Sequence, residues 1–251
     1  MNTGTSHKKS GGALRPKVLV LGDSIAAGAL SVDGTTITHR LSPTFVELLA
    51  ERFAALEFVV DAVALRRTPD VLVALPGLLE SVEPAMVLVA TGANDADLDW
   101  RRFVISDGAV VRSRTPIERY ASDLASIARL IRAHRAKAIL AEPIGLHLAS
   151  RAPHLCSLVK RDLGPAMERA GGQAHADEIV RRYRDASAVV AAEFGFLHCP
   201  LGPDLASHDP SRVLAADGTH PNELGHRVMA ETLGAALAMS PLVVGEGVRT
   251  A

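Results

Sequence analysis

Near its start the chain reads Lys17-Val18-Leu19-Val20-Leu21-Gly22-Asp23-Ser24-Ile25. This apolar run is too short for an isolated helix and is rich in valine and leucine, which predicts a buried β-strand. The strand delivers Ser24 to its carboxyl end, where open α/β sheets hold their ligand sites. Gly-Asp-Ser is also ordinary turn chemistry, so a purely structural turn is the alternative at this point.

Length and composition predict one domain around one large core. The chain has 251 residues, of which 48% are hydrophobic and 22% are charged. We expect this domain at 16–240, a disordered polar tail at 1–15 and a loose tail at 241–251. The first 14 residues contain no apolar region of signal-peptide length, so a cytoplasmic protein is predicted. No apolar run approaches the roughly 20 residues that a membrane-spanning helix needs.

Charge and cysteine content exclude several classes of partner. Lysine plus arginine number 27 and aspartate plus glutamate 28, so no net field favours nucleic acid or an anionic membrane. Cys156 and Cys199 are the only cysteines, and their separation favours small buried residues over a disulfide framework or a thiolate metal site. No pair of histidines has convincing metal-ligand spacing. We therefore expect neither a metal site nor a nucleic-acid partner.

Strands and helices alternate along the rest of the chain. Further strands are predicted at 56–63, 85–90, 136–141 and 194–199, with helices at 43–53, from Thr68, from Thr115-Pro116, at 176–193 and at 221–238. Such alternation implies right-handed β-α-β crossovers and a mostly parallel sheet of about five strands, with helices on both faces. The predicted fold class is therefore α/β.

Several segments carry weaker signals. Ser42 is predicted to cap the helix at 43–53, and Thr115 to open a capping box. Residues 100–114 contain Ser-Asp-Gly between β-prone runs and predict a hairpin excursion. Residues 146–172 carry an interrupted helical pattern, for which we favour an irregular packed segment over a mobile cap. Loops are predicted through Gly28, Asp33 and Gly34, and from Pro203 through Pro210 to Asp217.

Four polar residues fall in loops predicted at the carboxyl ends of strands: Ser24, Asn94, Asp217 and His220. Serine needs a base within hydrogen-bond reach, and a histidine with a pKa near 6.5 supplies one around neutral pH. A carboxylate three residues before the histidine would hold the imidazole in one tautomer and stabilise the imidazolium. Asp and His before a helix are also common cap and turn residues, which is the structural alternative.

Taken together, these residues resemble the SGNH hydrolases, also called GDSL-type esterases and lipases. The resemblance lies in three motifs in the family's order: Gly22-Asp23-Ser24-Ile25, Gly92-Ala93-Asn94-Asp95 and Asp217-Gly218-Thr219-His220-Pro221-Asn222. It implies a flavodoxin-like three-layer α/β/α sandwich in which Ser24 is the nucleophile, His220 is general base and then acid, and Asp217 orients His220. It also implies an oxyanion hole made by the Ser24 N–H, the Asn94 amide and an N–H in a second block.

The second block departs from the family pattern. A glycine is expected after the second strand, yet residues 61–68 contain none, and Arg66 best matches its position. Any residue has a backbone N–H, so the Arg66 N–H is the expected donor. Arg66 and Arg67 are then candidates for contacting an anionic group of the substrate, the alternative being solvated loop arginines.

The resemblance implies hydrolysis of small carboxylic esters through an acyl-enzyme, without metal or cofactor; thioesters and O-acyl sugars are related acyl donors. Acyl transfer to an alcohol or amine by the same residues is one alternative, and partitioning of the acyl group between water and added alcohol separates the two. A non-catalytic binding domain is the other alternative, favoured by the missing glycine. Asp23 is expected to stabilise the turn beside Ser24 and not to serve as the triad carboxylate.

Overall fold

A computed structural model describes residues 15–30 and 39–244. The predicted amino-terminal tail, except Arg15, therefore lies outside the described residues. So do Asp33 and Gly34 of the loop predicted after Ser24, and the end of the chain from 245 onward.

The centre of the fold is a five-stranded sheet in the order β4-β1-β5-β6-β7, in which every neighbouring pair is parallel. A two-stranded antiparallel ribbon, β2 with β3, stands apart from it. The bounds are β1 Lys17–Gly22, β2 Ala29–Leu30, β3 His39–Arg40, β4 Glu57–Ala62, β5 Met86–Ala90, β6 Lys137–Ala141 and β7 Leu197–Cys199. The sheet confirms the predicted parallel arrangement of five strands.

Helices cover both faces of the sheet and confirm the α/β/α sandwich. Strand β1 shows the two faces: Leu19 and Leu21 lie in one core, and Val18 and Val20 in the other. The first core includes buried residues of α2, α5 and α8, and the second includes those of α1 and α11. The bounds are α1 Phe45–Arg52, α2 Thr68–Val82, α3 Ala93–Ala96, α4 Trp100–Ile105, α5 Ile117–Ala133, α6 Leu148–Val159, α7 Gly164–Arg169, α8 Gly172–Phe194, α9 Leu201–Ala206, α10 Pro210–Val213, α11 Glu223–Ala238 and α12 Pro241–Val244.

The hairpin predicted at 100–114 is wrong, because its first part is helix α4. The Asp99 side chain caps this helix by accepting from the Arg102 N–H, and the rings of Trp100 and Phe103 are buried in the core. Burial of two aromatic rings one turn apart favours a helix over an alternating strand. A single antiparallel bridge between Leu98 and Ser113 closes the excursion.

Two helix caps also differ from the prediction. Thr44, not Ser42, caps α1: its hydroxyl accepts from the Glu47 N–H, while its own N–H donates to the Glu47 carboxylate at 2.7 Å. Helix α5 starts after Pro116, which caps it without a side-chain hydrogen bond, so the predicted capping box at Thr115 does not form.

The interrupted segment at 146–172 forms α6 and α7, which contribute buried Leu155 and Met167 to the core. This agrees with the packed segment we favoured. The predicted loop from Pro203 to Asp217 contains two short helices, α9 and α10. Where a loose tail was expected from 241 onward, α12 forms and buries Val243. Within 15–30 and 39–244, no helix combines the length and apolar character needed to cross a membrane.

Candidate active site

The loops at the carboxyl ends of β1 and β5 meet the loop before α11. Ser24 lies two residues after the end of β1, Asn94 lies in α3 after β5, and His220 lies two residues before Asn222, the cap of α11. Gly92 permits the turn out of β5, because its φ of +119° favours glycine and a Cβ there would lie 2.8 Å from Pro143 Cγ. Parallel strands carry their carboxyl ends to one edge, which explains why residues far apart in sequence converge.

Ser24, His220 and Asp217 form one hydrogen-bonded chain. His220 Nε2 lies 2.9 Å from Ser24 Oγ, and His220 Nδ1 lies 2.6 Å from Asp217 Oδ2. The carboxylate fixes the proton on Nδ1, which leaves Nε2 to accept from the serine hydroxyl. All three residues are buried at the base of the site.

Asp217 is held by its own loop as well as by the imidazole. Its Oδ1 accepts from the N–H groups of Thr219 at 2.9 Å and His220 at 3.0 Å. Burial opposes ionisation of Asp217, but the hydrogen bonds from the His220 ring and from these two N–H groups outweigh it and lower the pKa of the carboxyl. Asp217 therefore carries its negative charge next to the imidazole at neutral pH.

Asp23 performs the turn role expected of it and also contacts a site residue. Its Oδ1 accepts from the Ile25 N–H at 2.9 Å, and its Oδ2 accepts from Asn94 Nδ2 at 3.2 Å. The carboxyl is 1% exposed, and burial raises its pKa to about 6 against the opposing effect of these bonds. Sequence reasoning assigned Asp23 to the turn and missed its contact with Asn94.

The backbone of Arg66 does not lie where the resemblance suggested. Its N–H donates to the Val63 carbonyl at 3.2 Å, and its guanidinium donates to the Asp61 carboxylate at 2.5 Å. Arg66 is absent from the wall of the cavity at Ser24, whereas its turn neighbours Ala64 and Leu65 line it. Leu65 adopts a φ of +63°, a left-handed conformation that glycine adopts more readily.

A cavity of about 220 Å³ opens next to Ser24 and His220. Most of its wall is apolar, with Leu98, Ile144, Leu146, Ala176, Ile179 and Val180 among the lining residues. Arg67 does not line it and lies instead beside Asp70, Nε to Oδ2 4.0 Å.

Two other arginines, Arg114 and Arg151, do line the cavity. Sequence analysis missed both, because no local pattern marks them. Among the described residues, no group of three or more histidine, cysteine or acidic side chains is arranged to hold a metal ion.

A second buried acid joins the elements that surround the site. Asp95, next to Asn94, accepts from the Thr68 N–H at 3.0 Å and from the Thr68 hydroxyl at 2.8 Å. These bonds tie α3, which carries Asn94, to the first residue of α2. The motif residue after Asn94 therefore has a structural role that spacing alone did not reveal.

Several solved structures are similar to this fold. A lipase/acylhydrolase from Enterococcus faecalis superposes with a TM-score of 0.65 and 19% identity, over 88% of this chain and 95% of that one. A catalytic mutant of an acetylxylan esterase from Geobacillus stearothermophilus gives a TM-score of 0.61 and 17% identity, over 90% and 95% of the two chains. A psychrotrophic esterase from Pseudoalteromonas sp. gives 0.58 and 17%, over 88% and 96%. At these identities the likeness demonstrates the fold.

Membership of a family follows from the sequence itself. No curated protein matches the chain. The model of the GDSL-like lipase/acylhydrolase family, however, matches residues 20–228, a span that contains all four polar residues of the site. The chain therefore belongs to the GDSL-like lipase/acylhydrolase family and is an ester hydrolase of the GDSL type.

Proposed function

We propose that the protein hydrolyses carboxylic esters through an acyl-enzyme on Ser24, with His220 as general base and acid and Asp217 as the residue that orients His220. The observation that carries this proposal is the chain of hydrogen bonds from Ser24 Oγ through His220 to Asp217, at 2.9 and 2.6 Å. A serine hydroxyl becomes an effective nucleophile when a base removes its proton during attack.

The mechanism has two halves. In the first, Ser24 Oγ attacks the ester carbonyl and its proton passes to His220 Nε2, which then protonates the departing alcohol. In the second, water attacks the acyl-enzyme, His220 accepts a proton from that water and returns it to Ser24, and the carboxylic acid leaves. Ionised Asp217 stabilises the imidazolium in both halves.

The developing oxyanion requires donors that point into the cavity. The Ser24 N–H and the Asn94 amide are proposed as two of them, because the Ser24 N–H has no hydrogen-bond partner in the described part of the chain. We propose that the turn at 63–66 supplies the third donor in place of the family's glycine. In support, the turn borders the cavity at Ala64 and Leu65, and neither N–H has a partner among the described residues.

The small, mostly apolar cavity supports a small-molecule ester as the substrate; thioesters and O-acyl sugars remain the related acyl donors to include in a panel. A cytoplasmic location stays a prediction; it agrees with Cys156 and Cys199 being free thiols.

The test is Ser24→Ala compared with Ser122→Ala, a serine on the exposed surface of α5. We expect the first variant to lose p-nitrophenyl acetate turnover and labelling by a fluorophosphonate, and the second to keep both. Circular dichroism verifies that each variant is folded. Wild-type turnover in a folded Ser24→Ala protein would contradict the proposal.

A further inference from the structure

The polar part of the cavity wall beside Ser24 contains two arginines, Arg114 and Arg151, and two acids, Asp23 and Asp97. Arg114 Nη2 lies 3.4 Å from Asp97 Oδ2, and Asp97 also accepts from Trp100 Nε1 at 2.8 Å. Asp97 is thus held in place by the indole and offset by one arginine. The second arginine of the wall, Arg151, acts on the pKa of Asp97 but forms no ion pair with it in the described part of the chain.

Among the described residues, none accepts a hydrogen bond from the Arg151 side chain. Its Nε is buried and without a hydrogen-bond partner, and within the described ranges its guanidinium takes part in no ion pair. A buried charged donor without an acceptor costs free energy, so such groups normally have a partner. Here the guanidinium lines the cavity, where a bound molecule would supply the missing acceptor.

Neither acid of the wall supplies Arg151 with a hydrogen-bond acceptor within the described ranges. Asp23, which also lines the cavity, already accepts from Ile25 and Asn94. Asp97 is occupied by Trp100 and Arg114, and burial raises the pKa of its carboxyl against the effect of Arg114 and Arg151. Among the described residues, the guanidinium of Arg151 therefore remains available to a ligand in the cavity.

The backbone at Arg151 is fixed relative to the loop of the reacting residues. The His147 N–H donates to the Gly218 carbonyl at 2.7 Å, which ties the start of α6 to the loop that holds Asp217 and His220. Gly218 has a φ of +66°, and a Cβ there would lie 2.9 Å from the backbone nitrogen of Arg151, so the helix and the loop are in close contact. The backbone that carries Arg151 is therefore held at a set position relative to His220.

We propose that the preferred substrates carry an ionised carboxylate in addition to the ester group, and that this carboxylate binds Arg151 beside Arg114. This inference rests on the proposed ester hydrolysis at Ser24 and names the class of ester. A carboxylate matches both the planar fork and the positive charge of the Arg151 guanidinium. The apolar wall accommodates the hydrocarbon between the carboxylate and the ester.

The experiment compares each anionic ester with a neutral amide of the same shape. On the acyl side the pair is monomethyl glutarate and methyl 5-amino-5-oxopentanoate; on the alcohol side it is 3-acetoxybenzoate and 3-acetoxybenzamide. The quantity measured is the ratio of kcat/KM for the anionic ester to kcat/KM for its amide. We expect a ratio of about ten or more for one pair, since hydrogen bonds to charged groups are the stronger ones. The pair with the high ratio identifies the side of the ester that carries the charge.

Arg151→Gln should bring that ratio close to one, and Arg151→Lys, which keeps the charge but not the fork, should give an intermediate value. Arg129→Gln removes the same charge from the exposed surface of α5 and should leave the ratio unchanged. A wild-type ratio near one for both pairs would overturn the proposal. So would a high ratio that persists in folded Arg151→Gln.

A binding measurement separates this proposal from the one on which it rests. Ser24→Ala should bind the preferred anionic ester about tenfold more tightly than its amide, measured by calorimetry. If neutral esters are hydrolysed and Ser24 is labelled, but neither ratio nor affinity depends on charge, only the carboxylate preference fails. If nothing is hydrolysed and Ser24 is not labelled, the hydrolase proposal fails, and the calorimetric comparison still decides whether Arg151 selects a carboxylate.

Discussion

The side-chain amide of Asn94 donates to the buried carboxyl of Asp23, with Nδ2 3.2 Å from Oδ2. An amide nitrogen carries two hydrogens, so this bond occupies one and leaves the other for a ligand in the cavity. Asp23 is itself held by the Ile25 N–H. The residue beside the nucleophile in sequence therefore orients the amide that we propose as an oxyanion donor.

Replacement of Asn94 by alanine should lower kcat by about 10²- to 10³-fold and leave KM nearly unchanged, because the lost bond forms mainly in the transition state. Steady-state kinetics on p-nitrophenyl acetate provide the measurement, and Ser122→Ala on the surface of α5 is the control. A defect confined to KM would indicate that Asn94 binds the ground state instead.

Asp23→Asn should change the pH dependence of stability. Burial raises the pKa of Asp23 to about 6 in the folded protein, whereas an unfolded aspartate titrates near 3.8. The folded wild type therefore binds the Asp23 proton more tightly than the unfolded chain does. The contribution of this proton to the free energy of unfolding is lost as pH rises from about 4 to about 6. The stability of Asp23→Asn relative to wild type should increase over that window by about 2 to 3 kcal/mol.

Urea unfolding at several pH values between 4 and 8 measures this difference. Asp209→Asn is the control, because bonds from the Ser211 side chain and backbone lower the pKa of Asp209 below that of an unfolded aspartate. The contribution of Asp209 to stability is therefore complete above the unfolded pKa, so the stability of this variant relative to wild type should stay nearly constant over the measured range. A difference between Asp23→Asn and wild type that does not vary with pH would show that Asp23 titrates normally.

The sheet and the convergence of Ser24, Asn94, Asp217 and His220 could be predicted from the sequence. Strand β1 is apolar on both sides because helices cover both faces of the sheet, and parallel strands bring their following loops to one edge. Short elements that depend on particular contacts were not predictable in this way. Thr44 and Ser42 are both able to cap a helix, and contacts made by the first residue of α1 decide between them. The N–H of that residue, Phe45, donates to His226 Nδ1 at 3.1 Å, and His226 lies 181 residues away in the chain.

The arginines of the cavity are a further case. Arg151 reaches the site because the start of α6 is bonded to Gly218, and Arg114 because its segment returns beside Asp97. Neither arrangement leaves a local pattern in the sequence. Arg66 and Arg67 follow a predicted strand, which made them candidates, yet both side chains lie beside neighbouring carboxylates.

Replacement of Arg66 by methionine should therefore destabilise the fold without disabling the site. The guanidinium is buried against Asp61, whose side chain is 25% exposed, so its loss should lower the free energy of unfolding by about 1 to 2 kcal/mol. The backbone N–H and the turn at 63–66 are kept, so kcat/KM for p-nitrophenyl acetate should change less than about threefold. Arg67→Met is the matched control, because its more exposed ion pair with Asp70 should contribute less than about 0.5 kcal/mol. A large loss of kcat/KM at unchanged stability would instead place the Arg66 side chain in contact with substrate.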